Sequence, residues 1–319
     1  MIRSKRKTGA WIFAFLLLFL AAAPRVVHGA AAIDTERTCS VLIELDGTYE
    51  ELSNLMVPVA LYRVAEVKVD GSYQALPEFE ALEESLLSVN DLTNADTWLM
   101  MAAKATEIVE TTVTPVTETM TLENGKGNIN GLKTGMYLIL AQTVESVEYA
   151  YSFTPYLLAL PGNHYYDTGD DTWQYDMTIG LKPQQDNRLG RLIIEKTLTS
   201  YNATLGGASF IFQVEAVRDG EKVYSNVVSL VFDGPGTKSI ELEGLPAGAT
   251  VTVKEVYTGA SYQAVTSPVQ TTVIVADSME GAPASVSFEN TYDEHLRGGT
   301  SVVNRFIHNE DGSFDWEQE

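Results

Sequence analysis

The sequence predicts an all-β fold of two tandem immunoglobulin-like β-sandwiches, the first carrying one inserted helix. Branched and aromatic residues alternate with polar ones in short runs from residue 40 onward, which is the period of a half-buried strand. A stretch without apolar periodicity, residues 182–189, separates two halves of the chain. Roughly seven short runs, separated by turn residues, fill residues 190–294, which is the strand number of a sandwich.

The first 31 residues have the layout of a secretory signal peptide. Basic residues within the first seven positions precede an apolar run from Trp11 to Ala23, and small residues follow. The run is shorter than the ~18 residues that span a bilayer. We therefore expect cleavage near Ala30 to Ala32, a secreted chain that associates with the cell surface, and no transmembrane anchor afterwards.

The charge of the chain excludes several classes of partner. The sequence has 21 Lys and Arg against 43 Asp and Glu, a net charge of −22. Five of the basic residues and none of the acidic ones lie in residues 1–30, so cleavage leaves 16 against 43, or −27. Such a chain repels nucleic acid and anionic membranes.

Cys39 is the one cysteine of the sequence, so the chain can form no internal disulfide. Since it has no lipobox before it, we expect a structural or incidental role for its thiol. An exported β-protein without disulfides needs another source of rigidity.

The first predicted domain spans residues 32–181. Its runs 41–45, 57–69, 137–144 and 151–160 are typical of strands. Between Asn90 and Glu110 the apolar residues recur at near-helical spacing, and Asp91 or Asn94 can cap the start, which predicts the inserted helix.

Both halves contain a Gly-Leu-x-x-Gly turn that leads into an apolar strand, at 131–135 and at 244–248. We expect the glycines to take positive φ and the leucine to fill the core below the turn. The repeat indicates two copies of one topology.

The second predicted domain spans residues 190–294, and a tail or small hairpin follows at 295–319. Its predicted strands are Leu192 to Leu198, Ser209 to Val217, Ser225 to Phe232, Ser239 to Leu242, Thr250 to Tyr257, Thr271 to Ala276 and Ala284 to Tyr292.

Three polar residues of these strands share the parity of apolar neighbours and so point into the core. Lys196 aligns with Leu192, Ile194 and Leu198; Glu255 with Val251, Val253 and Tyr257; and Asn290 with Val286, Phe288 and Tyr292. One reading is a buried Lys196–Glu255 ion pair bridged by Asn290. The other is covalent: burial lowers the lysine pKa and raises the glutamate pKa, so a neutral amine can attack the carboxamide with acid assistance.

These residues resemble the Gram-positive pilin and Cna B-type domains. Ile194-Glu-Lys196-Thr, Val253-Lys-Glu255-Val-Tyr257 and Phe288-Glu-Asn290-Thr-Tyr292 follow the family order over residues 190–293. The resemblance implies a self-generated isopeptide bond between Lys196 and Asn290, with Glu255 as its catalytic group.

The first half is similar to the N-terminal domain of backbone pilins, through Gly131-Leu-x-x-Gly135-x-Tyr137 and Trp173-Gln-Tyr-Asp176. The resemblance places Lys182 at the position that accepts the next subunit from a sortase, although Gly180 and Leu181 replace the family's Tyr-Pro. The partners it implies are other pilin subunits or cell-wall components. Since Gln142 aligns with Glu255 and no lysine lies in 40–46, we expect no isopeptide bond here.

No Leu-Pro-x-Thr-Gly sorting signal is found. We therefore expect a subunit that is unanchored, terminal, or held noncovalently.

The sequence has no motif of a known enzyme site: no His-Glu-x-x-His, no phosphate-binding loop and no nucleophile elbow. We expect no enzyme, no cofactor and no metal, and we interpret Asp167, Asp170 and Asp171 as a solvated loop. Two alternatives stay open. One is an adhesin that binds a host matrix protein or glycan through His164 to Tyr166 with Trp173; the other is a secreted carbohydrate-active enzyme with two distant carboxylates.

Overall fold

The computed structural model describes residues 32–87, 95–163, 172–279, 281–295, 304–309 and 314–318. The predicted signal peptide, the predicted helix caps, the aromatic segment 164–166 and the three aspartates at 167–171 lie outside the described residues.

The fold is all-β, and it comprises two compact units that are each built from paired sheets. The first unit holds the residues up to Gln142 together with Phe153–Lys182, and the second holds Thr143–Ser152 and the residues from Pro183 onward. The predicted fold class is confirmed. Residues 143–152 group with the second unit, although the sequence analysis placed them in the first domain.

Among the residues that the structure describes, thirteen strands and two α-helices lie before residue 188. In order they are β1 (Cys39–Glu44), β2 (Val57–Val67), β3 (Tyr73–Ala75), α1 (Glu83–Leu87), α2 (Ala95–Thr111), β4 (Glu118–Leu122), β5 (Lys126–Leu132), β6 (Gly135–Ala141), β7 (Val144–Glu145), β8 (Tyr149–Phe153), β9 (Tyr156–Leu160), β10 (Gly162–Asn163), β11 (Trp173–Gln174), β12 (Asp176–Gly180) and β13 (Pro183–Asn187). Short 3-10 helices cover Leu52–Asn54 and Pro77–Leu82.

The first unit pairs a three-stranded sheet, β12-β1-β5, with a larger sheet, β3-β2-β6-β9, on which β4 also pairs with β2. Strand β1 runs parallel to β12 and antiparallel to β5. Helix α2 buries Met101, Ala102 and Ala105 in the core formed with the larger sheet. The predicted inserted helix is confirmed for residues 95–111, since its apolar face is what this sheet covers.

The described part of the second unit contains ten further strands. They are β14 (Leu189–Leu198), β15 (Ala208–Arg218), β16 (Glu221–Phe232), β17 (Gly236–Pro246), β18 (Thr250–Tyr257), β19 (Tyr262–Ala264), β20 (Val269–Val273), β21 (Ala284–Tyr292), β22 (Asn304–His308) and β23 (Phe314–Gln318). One sheet has the order β17-β14-β21-β19 and the other β16-β15-β18-β20, and their inner faces share one apolar core.

Two features of this unit differ from the sequence analysis. Strand β19 was not predicted, because three residues are too few to show alternation. The predicted linker 182–189 contains β13 and the start of β14, so most of it is strand. Strand β13 joins the sheet β13-β8-β7 with mostly exposed side chains. It is held by backbone pairing and therefore lacks an apolar pattern.

The predicted single strand 151–160 is two strands, β8 and β9, interrupted at Thr154 and Pro155. Proline has no N–H to donate to a sheet ladder, so the strand ends at this position.

Both Gly-Leu-x-x-Gly turns have the predicted geometry. Gly131 and Gly244 have φ of 78° and 75°, which favours glycine. Leu132 and Leu245 are buried beneath them. The predicted role of both residue types is confirmed.

The hairpin of residues 143–152 is held in the second unit by Arg188, whose side chain is 8% exposed. Its guanidinium donates to the Ser146 carbonyl and, at 2.7 Å, to the Ser278 hydroxyl. It also lies 2.9 Å from the Glu145 carboxylate. Burying the arginine is tolerable because these partners replace the water that it loses.

A second arginine holds the other end of the same hairpin. The guanidinium of Arg218 stacks over the Tyr149 ring at 4.8 Å and lies 3.7 Å from the Glu148 carboxylate. It also donates to the Ala247 carbonyl. Gly248 faces the Glu148 side chain in this turn, and its φ of 78° lies in the left-handed region that favours glycine.

The predicted tail is a hairpin in which β22 pairs antiparallel with β23. It is attached to β16, because the Ser225 hydroxyl donates to the Phe314 carbonyl at 2.8 Å and Lys222 lies 3.3 Å from the Asp315 carboxylate.

Candidate crosslinking site

The candidate site lies in the core of the second unit, where β14 and β21 of one sheet face β18 of the other. Strands β14 and β21 are parallel neighbours, with Leu198 opposite Asn290 and Lys196 opposite Phe288. Lys196 and Asn290 therefore lie on the same face, one step apart along the diagonal. Glu255 reaches the same point from the opposite sheet.

The three side chains converge. The Lys196 Nζ lies 2.5 Å from the Asn290 Oδ1 and 2.8 Å from the Glu255 Oε1. The Asn290 Nδ2 donates to the same Glu255 Oε1 at 3.1 Å. One carboxylate oxygen thus contacts both the amine and the amide nitrogen of the carboxamide.

The site is dry. Lys196 and Asn290 are 0% exposed and Glu255 is 4% exposed. Charged residues are rarely buried to this degree unless they are paired. The sequence prediction that all three point inward is confirmed by these values.

Aromatic rings cover the amine on one side. The Lys196 Nζ lies 4.7 Å from the centroid of the Phe210 ring and 6.0 Å from that of Phe212. Both rings are fully buried on β15. Neither phenylalanine was predicted to belong to the site. Their inward parity on the predicted strand 209–217 is the sequence signal that could have identified them.

Burial shifts both titrating groups toward their neutral forms. It lowers the pKa of the Lys196 amine, against the opposing effect of the Glu255 carboxylate. It raises the pKa of Glu255, against hydrogen bonds from Lys196 and Asn290. The Glu255 Oε2 is buried and has no hydrogen-bond partner among the described residues. A protonated carboxyl suits that environment better than a carboxylate.

A β-bulge shapes the strand beside Glu255. The pairing of β15 with β18 shifts between Ile211 and Phe212, so Phe212 pairs with Glu255 and Ile211 with Tyr257. The predicted inward parity therefore holds through Glu255, whereas Tyr257 beyond the bulge is half-buried.

The first unit lacks a matching set among its described residues. Gln142 is exposed just past the end of β6, and its backbone N–H donates to the Pro58 carbonyl. Thr134 is the polar residue of this unit that is classed as buried. Nothing in the described part of this core resembles the Lys196 cluster.

Lys182 belongs to the first unit, whereas the three cluster residues belong to the second. Its side chain is exposed and follows the buried Leu181 at the end of the first unit. Its carbonyl accepts from the Thr154 N–H at 3.3 Å.

Other candidate groups have local packing roles. Cys39 is a free thiol, 2% exposed, and burial raises its pKa to about 11. Trp173 is half-buried against the core of the first unit. A surface cavity of about 390 Å³ in the second unit contains none of the three cluster residues; it is lined by Ile193, Glu195, Gln270, Ala282, Pro283, Ser285, Val286 and Ser287.

Within the described residues no helix is both long and apolar enough to cross a membrane. The same residues contain no group of three or more His, Cys, Asp or Glu side chains placed to hold a metal ion.

The family model that matches the chain is described as a domain of unknown function, DUF5979, and covers residues 192–293. This range contains all three residues of the cluster. It is less than half of the chain. No curated protein matches the sequence.

Several solved structures are similar to the chain at low identity. The minor pilin GBS52 of Streptococcus agalactiae is 15% identical, with 83% of this chain and 100% of that one covered and a TM-score of 0.25. The Bacillus anthracis TIE protein is 14% identical, with 88% and 41% covered and a TM-score of 0.34. The Corynebacterium diphtheriae major pilin SpaA is 11% identical, with 79% and 100% covered and a TM-score of 0.26. Similarity at these values carries no functional assignment.

Proposed function

We propose that this chain is an exported structural protein of the cell surface, of the pilus-subunit type, whose second unit is closed by an isopeptide bond between Lys196 and Asn290. The observation that carries the proposal is the contact of a buried amine with a buried carboxamide, bridged by one carboxyl group. The role is mechanical, and Glu255 acts only on its own chain.

The bond forms by displacement at the Asn290 carboxamide. The neutral Lys196 Nζ attacks Cγ, the C–Nδ2 bond breaks, and ammonia leaves. Glu255 Oε1 lies 2.8 Å from the attacking nitrogen and 3.1 Å from the leaving one. It can therefore take a proton from the amine and deliver one to the departing nitrogen, so that the carboxyl group ends as it began.

The dry core favours this chemistry over a stable ion pair. Separated charges lose most of their solvation there, and the shifts of both pKa values favour the pair in which the proton lies on Glu255. The neutral pair contains the nucleophile and the acid that the reaction needs. The two sheets hold the three groups in contact, so the reaction does not have to overcome the entropy cost of bringing them together.

The bond would join the first and last long strands of the sandwich, β14 and β21. These strands are parallel neighbours, so tension applied at the start of β14 and the end of β21 shears their hydrogen bonds. A covalent tie between them transmits that tension without shear. This is the property that a load-bearing surface fibre requires, and it replaces the disulfides that the sequence lacks.

The intact mass of the mature protein tests the bond. We expect wild type to lack the mass of one ammonia and Lys196→Ala, Asn290→Ala and Glu255→Gln to have the full mass. Glu289→Gln is the matched control, since this half-buried glutamate precedes Asn290 and lies outside the cluster. It should show the same loss as wild type. A full mass for folded wild type would reduce the cluster to a buried ion pair.

We further propose that Lys182 is the acceptor through which a sortase joins another pilus subunit or a cell-wall component. The proposal is supported by its exposed side chain, which makes no hydrogen bond or ion pair with the described residues, and by its place after a buried leucine. In cells that contain the cognate sortase, Lys182→Ala should abolish covalent multimers. Lys133→Ala, at another exposed lysine of the first unit, should leave them unchanged. Equal ladders from both variants would contradict the assignment.

A further inference from the structure

The two sheets of the sandwich in the second unit have four edge strands, and these strands differ in how they are protected against pairing with another chain. The sheet orders β17-β14-β21-β19 and β16-β15-β18-β20 place β17, β19, β16 and β20 at the edges. An edge strand presents unpaired backbone groups, and natural proteins usually protect such edges with charges, shortness or a cover.

Three of the edges have such protection. Strand β17 carries the exposed residues Lys238, Glu241 and Glu243. Strand β19 has three residues. Strand β16 bears the C-terminal hairpin, which is fastened by a hydrogen bond to Ser225 and an ion pair with Lys222.

Over its five residues strand β20 has no charge and no covering element among the described residues, and its Gln270 side chain exchanges two hydrogen bonds with the Ser287 backbone of β21. Its sequence is Val-Gln-Thr-Thr-Val, and residues 256–276 around it contain no Asp, Glu, Lys or Arg. Val269 and Val273 are 43% and 51% exposed. Exposed valines on an uncharged edge are typical of a strand that pairs with another strand.

The backbone of β20 points its free groups outward at Thr271 and Val273. The Ile274 N–H donates to the Ala249 carbonyl, and the Pro268 carbonyl accepts from the Glu255 N–H, so the even-numbered residues face β18. Successive residues of a strand alternate in this direction, so the odd-numbered ones direct N–H and C=O to the open edge. Val269 has its own cap, because both its backbone groups contact the Ser267 hydroxyl.

The sequence of β20 is suited to pairing with itself. An antiparallel pair with its two-fold axis at Thr271 places Val269 opposite Val273 in both directions. Cross-strand pairs of β-branched residues stabilise a sheet. The Thr271 residues of the two strands then form a pair that exchanges both backbone hydrogen bonds.

The distribution of charge favours the edge of β20, over the rest of the surface, as the place where a second copy of the chain can bind. Each chain has a net charge of −22, or −27 after the predicted cleavage, so most homotypic contacts would bring like charges together. The uncharged stretch 256–276 avoids this repulsion. We propose that β20 is a homotypic docking edge, at which two copies of this chain pair antiparallel about Thr271 and join their sheets.

Such a contact is weak and depends on concentration. Five residues of one strand bury far less than the roughly 1,200–2,000 Å² of a stable interface. Since the two copies repel at long range, salt should strengthen their association by screening that repulsion. The contact does not involve the Lys196 cluster, so its failure leaves the isopeptide bond unaffected.

Sedimentation velocity across a concentration series, at low and high salt, tests the proposal on the mature protein. We expect a monomer–dimer equilibrium that shifts toward dimer at high salt. Val273→Glu should lower the association constant at least about tenfold, because it adds a charge to the paired edge. Val231→Glu is the matched control, since Val231 is 47% exposed on β16, and it should behave as wild type.

A disulfide trap supplies an independent readout of the geometry. In an antiparallel pair about this axis the two Thr271 Cα atoms lie about 5.5 Å apart, which is within the range of a disulfide. Thr271→Cys should therefore form a covalent dimer on mild oxidation, whereas Val231→Cys should not; the buried Cys39 does not interfere. A monomer at every concentration, a dimer that Val273→Glu leaves intact, or equal trapping by both cysteine variants would overturn the proposal.

Discussion

Replacing the whole cluster by apolar residues separates a crosslink from an ion pair through the free energy of unfolding. Lys196→Met/Glu255→Leu/Asn290→Leu removes both charges and the carboxamide, keeps similar volumes, and leaves no buried polar group of the cluster without a partner. If the cluster is an ion pair, such a change is neutral or stabilises the fold by about 1–4 kcal/mol, because the desolvation cost disappears with the charges.

If the cluster is a crosslink, the same change destabilises the protein. The bond closes a loop whose ends are 94 positions apart. Closing a loop of about this length lowers the entropy of the unfolded chain by an amount worth about 4.7 kcal/mol at 25 °C. The crosslinked site holds an amide and a neutral carboxyl group, so no charge is removed by the substitutions and the net loss should be close to that value, about 4–5 kcal/mol. The sign of the change therefore discriminates between the two readings.

Urea unfolding of the mature protein, with the mass of each sample checked, measures this change. The crosslinked chain stays more compact when unfolded and exposes less surface, so the variant should also show a larger m-value. Asn290→Ala serves as a second uncrosslinked reference and should show a similar m-value. An unchanged m-value, together with equal or greater stability of the triple variant, would refute the reasoning.

Three further predictions concern Glu255, Gly248 and Cys39. Because burial raises the Glu255 pKa, the folded protein binds the proton of this carboxyl group more tightly than the unfolded chain does. The uncrosslinked variant Asn290→Ala should therefore lose stability as pH rises above about 4.5, relative to Asn290→Ala/Glu255→Gln. Urea unfolding at a series of pH values measures this difference. A constant difference across pH would contradict that shift. Gly248→Ala should lower the thermal midpoint, at a cost of about 1–2 kcal/mol for the left-handed backbone, whereas Gly234→Ala, without a positive φ and with open space around it, should not. The Cys39 thiol should react with a maleimide only after denaturation, because it is buried and its pKa is raised. Fast labelling of the native protein would show that the thiol is accessible to solvent.

Much of the cluster could be predicted from the sequence because the period of a strand is two. Lys196 shares parity with Leu192 and Ile194, and Asn290 with Phe288, so their inward orientation follows from the pattern alone. The same rule located the long strands of the second unit to within a few residues. It applies wherever one face of a strand is buried and the other is solvated.

Alternation of apolar residues did not predict the elements that are stabilised by backbone pairing or by side chains distant in the sequence. Strand β13 is mostly exposed, so its sequence carries no apolar alternation and reads as a linker. The hairpin at 143–152 groups with the second unit through Arg188 and Arg218, which follow it by some 40 residues or more in the chain. No local pattern encodes such a pairing, since each partner is an ordinary charged residue in its own segment.

Spacing within single segments was enough to predict the all-β class, the inserted helix, the two glycine turns and the inward parity of Lys196, Glu255 and Asn290. The meeting of these three side chains at contact distance depends on the register of β14 against β21 and on the facing sheet, so it follows only from the three-dimensional packing. The same packing leaves one edge strand uncovered, because an edge is defined by the strands that do not pair with it. Periodicity is a local property, whereas register and coverage depend on the packing of distant parts of the chain.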